Sequence, residues 1–303
     1  MKFPVDVLEG ARAARFVGFR RIIGLLAVAL LLQACSAMKI IYNQAPEWAY
    51  LYLDRHLDLN DAQSLQIKDA LGKLQAWHRQ TQLPAYALAL RALQQRVPAD
   101  IEAEQVCEIY DDVRHKLMAL SDHAEPALVT LVSTLNTRQL VHLERKFAKS
   151  NAGYRDDFLE GPPKKIRNRR YKLAVSRAER LYGTLEEKQL AVIGQRIDQS
   201  RFDAELSYAE KLRRQQDLLQ TLRPLIAGQA SAEKIQGAMR GLMERTLHSP
   251  TPAYRDYMAT LAQETCVTLA ELHNSSTPEQ RLKAVQTLDS YEKTFRILTA
   301  QKS

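Results

Sequence analysis

Apolar residues recur at helical spacing along most of this 303-residue chain. From residue 67 to residue 97 they follow an i, i+3, i+4, i+7 pattern, which places them on one face of an α-helix. The same spacing returns over residues 106–120 and over residues 284–298. No run alternates apolar and polar residues as a half-buried β-strand does. The pattern predicts an all-α fold, an elongated bundle of long, proline-kinked amphipathic helices.

Prolines divide the first half of this pattern. Pro46 suits the first turn of a helix that ends near His56. Asn60 is predicted to start a long helix, and Pro84 should kink it because proline removes a backbone hydrogen bond and clashes with the preceding turn. Pro126 is expected to interrupt the next helix and to separate it into two halves.

The second half of the chain is also predicted to be helical. A helix over residues 136–150 is followed by a loop over residues 151–163, where the domain could divide. Gly183 predicts a helix stop. One long helix is expected over residues 185–222. Three shorter helices are predicted at residues 231–248, 253–273 and 278–300.

The N-terminal segment has the features of a secretion signal. Arg20 and Arg21 precede the apolar run Ile22–Leu32, which is too short to span a bilayer comfortably but typical of a signal-peptide core. The run leads through Leu-Gln-Ala to Cys35, and this ending resembles the bacterial lipobox, whose cysteine is acylated. An ordinary secretion signal and a membrane anchor with an unrelated cysteine are the alternatives.

The lipobox implies three regions and a compartment. Residues 1–34 would be the signal peptide, residues 35–45 a lipidated tether, and residues 46–303 a helical periplasmic domain. Ser36 stands where an inner-membrane lipoprotein would have aspartate. The resemblance therefore implies a lipid anchor in the outer membrane, on its periplasmic face, with the inner membrane as the alternative.

Charge narrows the expected partners. The formal net charge is +8, and removing residues 1–34 would leave +5 on the rest of the chain. A basic excess in a cytoplasmic protein would suggest nucleic acid, but export removes that partner. Anionic lipid, lipopolysaccharide phosphates and peptidoglycan carboxylates become the expected counter-surfaces, beside possible protein clients.

Much of the basic charge is concentrated in one predicted helix that follows Pro163. Its cations are Lys164, Lys165, Arg167, Arg169, Arg170 and Lys172. This segment makes about two and a half helical turns, so the charge is expected to surround much of the helix. Two interpretations stay open: a solvated face partly paired with nearby acidic residues, and an anion-binding surface.

Four predicted helix starts have the residues of a capping box, with an N-cap side chain three residues before Gln or Glu. The pairs are Asn60 with Gln63, Asn136 with Gln139, Thr184 with Glu187, and Thr277 with Gln280. Their uneven spacing excludes a fixed repeat. Well-formed helix starts would explain them, and family resemblance is the second interpretation.

Two of these starts, Leu59–Gln63 and Leu135–Gln139, resemble the LTxxQ motif of the Spy and CpxP envelope proteins, with Asn in place of Thr. Those proteins are small helical chaperones and stress modulators. Most of the chain also resembles an uncharacterised family of proteobacterial lipoproteins. The residues that carry this second resemblance are Tyr42-Asn43, Tyr52–Asp54, Trp77–Arg79, Leu83–Tyr86, Tyr182–Leu185 and Ser200–Asp203. It implies a lipoprotein without an established activity.

Cys107 and Cys266 remain once Cys35 is assigned to the lipobox. Both flank apolar stripes, so each is expected at the edge of a helix–helix contact. In an oxidising envelope they can form a disulfide if their Cα atoms lie within about 7 Å. Two inert thiols fit the sequence equally well.

The enzyme motifs in the chain are incomplete. Ser231 and Lys234 match the SxxK motif of penicillin-recognising enzymes, whose KTG element is missing from the sequence. Gly237–Glu244 resembles a lytic transglycosylase segment, but its spacing is off by one and no Glu-Ser element precedes it. Asp112 and His115 have the spacing of di-metal ligands in helical bundles, without the second such pair that those sites use.

These observations favour a protein without a catalytic site, metal or cofactor. We expect a lipid-anchored, non-enzymatic envelope protein that acts by binding, as a chaperone, a scaffold or a component of the envelope stress response. The alternative is an envelope or peptidoglycan hydrolase whose site the motifs do not reveal.

Overall fold

The computed structural model of the protein describes residues 38–301. The predicted lipobox at Cys35 lies outside the described residues. The chain divides into two units, residues 1–45 and residues 46–303. In the first unit, residues 38–45 are helical. The account that follows concerns the second unit.

All regular secondary structure in the described part of the chain is helical, which confirms the predicted all-α class. We call the helical residues 46–57 of this unit α1. The other helices are α2 Asp61–Trp77, α3 Leu83–Arg96, α4 Ala103–Thr134, α5 Thr137–Phe158, α6 Pro163–Tyr182, α7 Glu187–Gln199, α8 Ala204–Ala227, α9 Ala232–Leu247, α10 Pro252–Asn274 and α11 Pro278–Ala300.

The helices pack around two hydrophobic cores. The first core joins α2, α4, α5, α8 and α9 with the end of α1, and its buried residues include Ile67, Leu140 and Ile235. The second core joins α6, α7, α10 and α11 with the residue after α3, and it includes Ile193 and Ala284.

Helix α4 connects the two cores. Its C-terminal end places Leu131 and Val132 in the first core. Near its N-terminus, a disulfide joins Cys107 to Cys266 of α10, with the two Cα atoms 5.4 Å apart. Of the two states that the sequence left open for these cysteines, the structure has the bonded one.

A pair of glutamines closes the first core where two helical hairpins turn. Gln63 and Gln139 occupy the third positions of α2 and α5, and only 2% and 1% of their surfaces are exposed. Each side-chain amide donates to the Oε1 atom of the other, at 3.3 and 2.8 Å. Each also donates to a carbonyl of the opposite hairpin, Thr134 O at 2.8 Å and Asp58 O at 3.2 Å. The buried amides are therefore fully hydrogen-bonded.

A second pair of glutamines closes the second core in the same way. Gln189 at the start of α7 and Gln280 at the start of α11 donate to each other at 3.0 and 2.8 Å. Gln280 also donates to Thr184 O at 2.8 Å. The α6–α7 turn and the α10–α11 turn are thereby held together.

Three of the four predicted capping boxes form in the structure. Their N-cap and N3 residues are Asn60 with Gln63, Asn136 with Gln139, and Thr277 with Gln280. In each box the N-cap oxygen accepts the N3 backbone N–H, and the N3 glutamine accepts the N-cap N–H. The helix starts are therefore satisfied locally, and the same glutamines then bridge to a second helix.

The fourth predicted box, Thr184 with Glu187, is wrong by two residues. Helix α7 begins at Glu187, with Glu186 as its N-cap and Gln189 at N3. The buried amide opposite explains the shift. Gln189 can donate to Gln280 as well as accept from it, whereas a glutamate carboxylate cannot donate and would be costly to bury.

Three prolines lie inside helices instead of starting or interrupting them. Residues on both sides of Pro46 are helical, contrary to the expected start there. Pro126 lies within the continuous helix α4 and Pro224 within α8. Each proline removes one backbone donor, and packing of the flanking residues Leu131 and Leu225 in the first core favours an unbroken helix.

Pro84 is accommodated by a change of helix type. Residues His78–Gln82 form a π-helical turn between α2 and α3. The Leu83 N–H donates to His78 O, five residues back, so the helix is locally wider than an α-helix. The wider turn gives the proline ring room where an α-helical carbonyl would clash.

Helix α5 continues to Phe158, beyond the predicted end near residue 150. Contacts with α8 stabilise the extra turns. The Asn151 side chain donates to Gln215 at 2.8 Å, and the rings of Tyr154 and Tyr208 stack at 5.4 Å. The predicted loop over residues 151–163 therefore shortens to the turn before α6.

The single helix predicted over residues 185–222 is instead two helices, α7 and α8. Groups on α10 satisfy the backbone at the break: Glu264 accepts the Arg201 N–H at 2.8 Å, and Tyr257 Oη accepts the Asp203 N–H at 3.1 Å. Asp203 then caps α8. These partners are distant in sequence, so the local pattern does not reveal the break.

Candidate binding site

An apolar groove of about 580 Å³ lies between α3 and α4, beside the C-terminal part of α11. Its apolar lining includes Leu90, Leu93, Ile109, Val113, Leu117 and Phe295. Val113 and Leu117 are 50% and 62% exposed. The apolar stripe of α4 that the sequence indicates is thus open to solvent over these residues. Such a concave apolar surface can bind apolar side chains of a partner.

Two ion pairs lie at the edges of the groove. Arg96 of α3 faces Glu108 of α4 at 3.9 Å, and Lys116 pairs with Asp112 one helical turn away. Asp112 and Glu108 remain more than half exposed. Exposed pairs of this kind stabilise a fold little, so their charges are available to a ligand. The groove therefore offers an apolar floor between charged edges.

Aromatic rings follow one another from the groove to the π-helical turn. Phe295 meets Tyr86 at 6.2 Å between ring centroids, and Tyr86 meets His78 at 5.4 Å. Burial raises the pKa of Tyr86, and the nearby Asp112 carboxylate adds to this effect. Burial also lowers the pKa of His78. Both groups are thus uncharged at neutral pH, which keeps this end of the groove apolar.

The arginines and lysines of the basic segment 164–172 of α6 make different contacts. Arg167 makes two hydrogen bonds to the Asp198 carboxylate, at 2.5 and 2.7 Å, and Arg169 pairs with Asp157. The Arg167 hydrogen bonds lower the pKa of Asp198. Arg170 lies 4.3 Å from the centre of the Phe202 ring. These three arginines are therefore bound to neighbouring elements of the fold.

The three lysines of α6 occupy a different position. Lys164, Lys165 and Lys172 are exposed and have no ion-pair partner within the described part of the chain. With Arg169 they border one open depression of about 690 Å³. The three lysines therefore form one lysine face, while Arg167 and Arg170 lie on other sides of the helix. The paired and the anion-binding interpretations each describe part of α6: the arginines are paired, and the lysines are available to an anion.

The residues of the rejected enzyme motifs have structural contacts. Ser231 caps α9 by accepting the Lys234 N–H, so the SxxK match coincides with a helix start. Asp112 pairs with Lys116, and His115 is exposed on α4. Among residues 38–301, no group of three or more His, Cys, Asp or Glu side chains is arranged to hold a metal ion.

One feature of this site was not predictable from local patterns, and a second could have been inferred from residue spacing. Periodicity identifies the α4 stripe but does not reveal that α3 and α11 leave part of it uncovered. Lys164, Lys165 and Lys172 follow i, i+1, i+8 spacing on α6, which could have indicated a lysine face.

Comparison with known proteins gives a family without a known function. None of the helices described between residues 38 and 301 has the length and apolar character needed to cross a membrane. No curated protein and no solved structure matches the chain. Residues 55–255 match the model of DUF6279, described as a family of unknown function. The match covers about two-thirds of the sequence, from the end of α1 to the start of α10, and the chain belongs to this family.

Proposed function

We propose that this protein is a lipid-anchored, non-enzymatic component of the bacterial envelope that binds non-native or partner polypeptides. In this proposal Cys35 is acylated, residues 1–34 are removed, and the helical domain faces the periplasm from the outer membrane. The observation that carries the binding role is the open apolar groove between α3 and α4.

The groove supports retention of a polypeptide. Val113 and Leu117 lie one helical turn apart and are both at least half exposed, so they present a continuous apolar strip to a partner segment. Burying apolar surface contributes about 25 cal/mol per Å², and a groove of this kind accommodates the apolar face of an amphipathic helix. The ion pairs at Glu108 and Asp112 can exchange for charges on the partner.

The lysine face of α6 supports the initial encounter with a client. Unpaired cations attract acidic segments over a distance of about 8 Å at physiological ionic strength and raise the association rate. The same cations would attract anionic lipid, lipopolysaccharide or peptidoglycan carboxylates near the membrane. Charge therefore affects how fast a client is captured, and apolar contact how long it is retained.

The resemblance to the LTxxQ envelope proteins supports the proposal by analogy only. In this chain the residues that carry the resemblance, Gln63 and Gln139, are buried and pair with each other. They hold two hairpins together and do not offer a surface to a client. Any chaperone activity would reside in the groove and the lysine face.

Aggregation of a reduced or unfolded client protein tests the binding role. The exported Cys35→Ser chain, which keeps every described residue, should delay aggregation at stoichiometric amounts. The variant Val113→Ser/Leu117→Ser should lose most of this effect. A matched control, Leu88→Ser/Leu282→Ser, changes two leucines of similar exposure, 63% and 59%, outside the groove. If the chain with the unmodified groove never delays aggregation, at low or high salt, the binding proposal is wrong.

The lysine face is tested by charge. Replacing Lys164, Lys165 and Lys172 with Gln should slow capture of the client at low salt and have little effect at high salt. The control replaces Lys149, Lys234 and Lys283, which are also exposed, and gives the same change in net charge. Equal slowing by both triple variants would show that net charge, and not this face, determines capture.

The anchor is tested separately. Fatty-acid labelling and membrane fractionation of the full chain should both be lost in Cys35→Ser. Unchanged labelling and fractionation in that variant would exclude Cys35 as the acylated residue.

A further inference from the structure

Helix α1 carries apolar side chains on two opposite faces. Tyr50, Leu53 and Leu57 pack against the first core. Trp48 and Tyr52 point away from it and are 51% and 64% exposed. A helix at a protein surface ordinarily presents polar residues on its outer side, so the outer side of α1 is unusual.

The outer residues form one stripe. Trp48, Leu51, Tyr52 and Arg55 follow i, i+3, i+4, i+7 spacing, which places them on one helical face. Leu51 is 48% exposed, and Arg55 is also exposed. The neighbouring Glu47 pairs with Lys68 of α2 at 3.7 Å, which directs its charge away from the stripe. The outer face is therefore aromatic and aliphatic, with one cation.

This composition matches a membrane interface better than a protein groove. Tryptophan and tyrosine are enriched where the acyl chains meet the headgroups, because each ring has an apolar body and a polar end. An arginine beside them can reach lipid phosphates. Helices with such a face lie about 5–10 Å deep in the interfacial region.

If Cys35 is acylated, as proposed above, the position of α1 in the chain keeps its outer face near a membrane. Trp48 follows Cys35 by thirteen residues, a length of chain that spans at most about 45 Å. The lipid anchor therefore keeps the stripe close to the bilayer. We infer that Trp48, Leu51 and Tyr52 insert into the headgroup region, so that α1 is a second membrane contact beside the lipid. This inference rests on the proposed acylation.

Tryptophan fluorescence provides a direct test, because the chain has only two tryptophans, Trp48 and Trp77. The full acylated chain carrying Trp77→Phe reports on Trp48 alone. It is reconstituted into vesicles of phosphatidylethanolamine and phosphatidylglycerol with brominated acyl chains. Contact with the interface should reduce Trp48 emission at least about twofold relative to unbrominated vesicles and shift it to shorter wavelength.

The control places a single tryptophan elsewhere, in Trp48→Phe/Trp77→Phe/Leu282→Trp. Leu282 is 59% exposed near the start of α11, next to Arg281, which donates to Pro98 O beyond α3. About thirty residues of α2 and α3 separate that end from Lys68, or about 45 Å of helix. This tryptophan should not be quenched.

Fatty-acid labelling of the same samples separates the two proposals. Labelled protein with unquenched Trp48, or with equal quenching at position 282, overturns the membrane contact and leaves the lipid anchor in place. Unlabelled protein with unquenched Trp48 overturns both. Quenching of Trp48 in unlabelled protein retains the membrane contact and overturns the acylation.

Discussion

The Gln63–Gln139 pair of the first core and the Gln189–Gln280 pair of the second join hairpin turns by the same contact between two amides. The first pair is symmetric, since each glutamine also donates to a carbonyl of the opposite hairpin. In the second pair only Gln280 does so. Gln63 also donates to Thr134 Oγ1 at 3.1 Å, so the first pair uses five hydrogen bonds between hairpins and the second uses three.

The helix starts at the two pairs differ in a related way. Asparagines cap both helices of the first pair, and the sequence predicts those starts correctly. In the second pair α7 is capped by Glu186, although Thr184 is a common type of N-cap residue and lies two positions earlier. The shift places an amide opposite Gln280. A buried partner thus outweighs the local preference for a cap.

The largest expected effect tests the connection between the two cores. Replacing Cys107 and Cys266 by Ala removes a bond that closes a loop of 159 residues. Loop-closure entropy predicts a loss of about 5 kcal/mol in unfolding free energy. Both tryptophans lie on α1 and α2, so fluorescence reports on the first core while circular dichroism reports on all helices.

In the double variant we therefore expect urea transitions that occur earlier and no longer coincide between the two signals. Reduction of the unmodified protein should have the same effect. An unchanged midpoint in reduced protein would contradict the structural role of this bond.

The next largest loss of stability is expected from substitutions that break one amide pair at a time. Gln63→Glu places a carboxylate beside Thr134 O and Gln139 in a buried site, with an expected loss of about 3 kcal/mol at neutral pH. Gln189→Glu should cost less, because Gln189 donates one hydrogen bond to the opposite hairpin, whereas Gln63 donates to Thr134 O, Thr134 Oγ1 and Gln139 Oε1. Urea unfolding of the two variants measures the difference.

Acid should partly restore both glutamate variants. Burial raises the pKa of such a carboxyl group above its unfolded value, so the folded state binds the proton more tightly and stability rises as pH falls. Gln63→Met and Gln189→Met serve as controls without a charge and should show no such recovery. Equal losses at the two sites would contradict the asymmetry described above.

A smaller effect is expected on the pH dependence of stability, and it arises from a buried histidine beside the second core. His273 is 4% exposed; its Nδ1 atom lies 2.9 Å from Tyr182 Oη and its Nε2 atom 2.9 Å from Ala99 O. Burial lowers the pKa of His273, and the hydrogen bond to Ala99 O opposes this effect; Arg281 lowers the pKa further, whereas Asp100 raises it. Burial also raises the pKa of Tyr182 to about 12, so the phenol remains a donor.

Because the folded-state pKa of His273 is lowered, the unfolded chain binds the proton more readily. The stabilising contribution is therefore present above the ordinary histidine pKa of about 6.5 and is lost as pH falls below it. His273→Gln should weaken this dependence, and the urea midpoint measured against pH checks it. The control is His142→Gln, which changes a histidine outside the second core; an equal weakening in both variants would mean that the dependence does not arise from His273.

The sequence predicts those features of the fold that depend on nearby residues. Helical periodicity identifies the all-α class, and the capping residues identify the starts of α2, α5 and α11. The predicted helix stop at Gly183 is also confirmed. The φ angle of Gly183 is +78°, a backbone conformation that favours glycine. These features need only contacts within one or two helical turns.

Features that depend on distant residues were not predictable in the same way. The break between α7 and α8 requires Glu264 and Tyr257 of α10. The pairing of Arg167 and Arg169, which separates them from the lysines of the same segment, requires Asp198 and Asp157. The groove exists because α3 and α11 leave Val113 uncovered, and the apolar period of α4 is the same whether its stripe is buried or open.

The smallest expected effect tests the choice of cap directly. Asn60→Ala removes a side chain that accepts the Gln63 N–H at 2.9 Å, so it should cost about 1 kcal/mol in unfolding free energy. Thr184→Ala removes a side chain that caps no helix in the structure and should cost well below about 0.5 kcal/mol. The backbone carbonyl of Thr184, which accepts from Gln280, remains in that variant. Urea midpoints of the two alanine variants, with Thr277→Ala as a second cap, measure the contrast. A loss in Thr184→Ala as large as that in Asn60→Ala would mean that α7 starts at Thr184 in solution, and that local cap preference outweighs the Gln189–Gln280 contact.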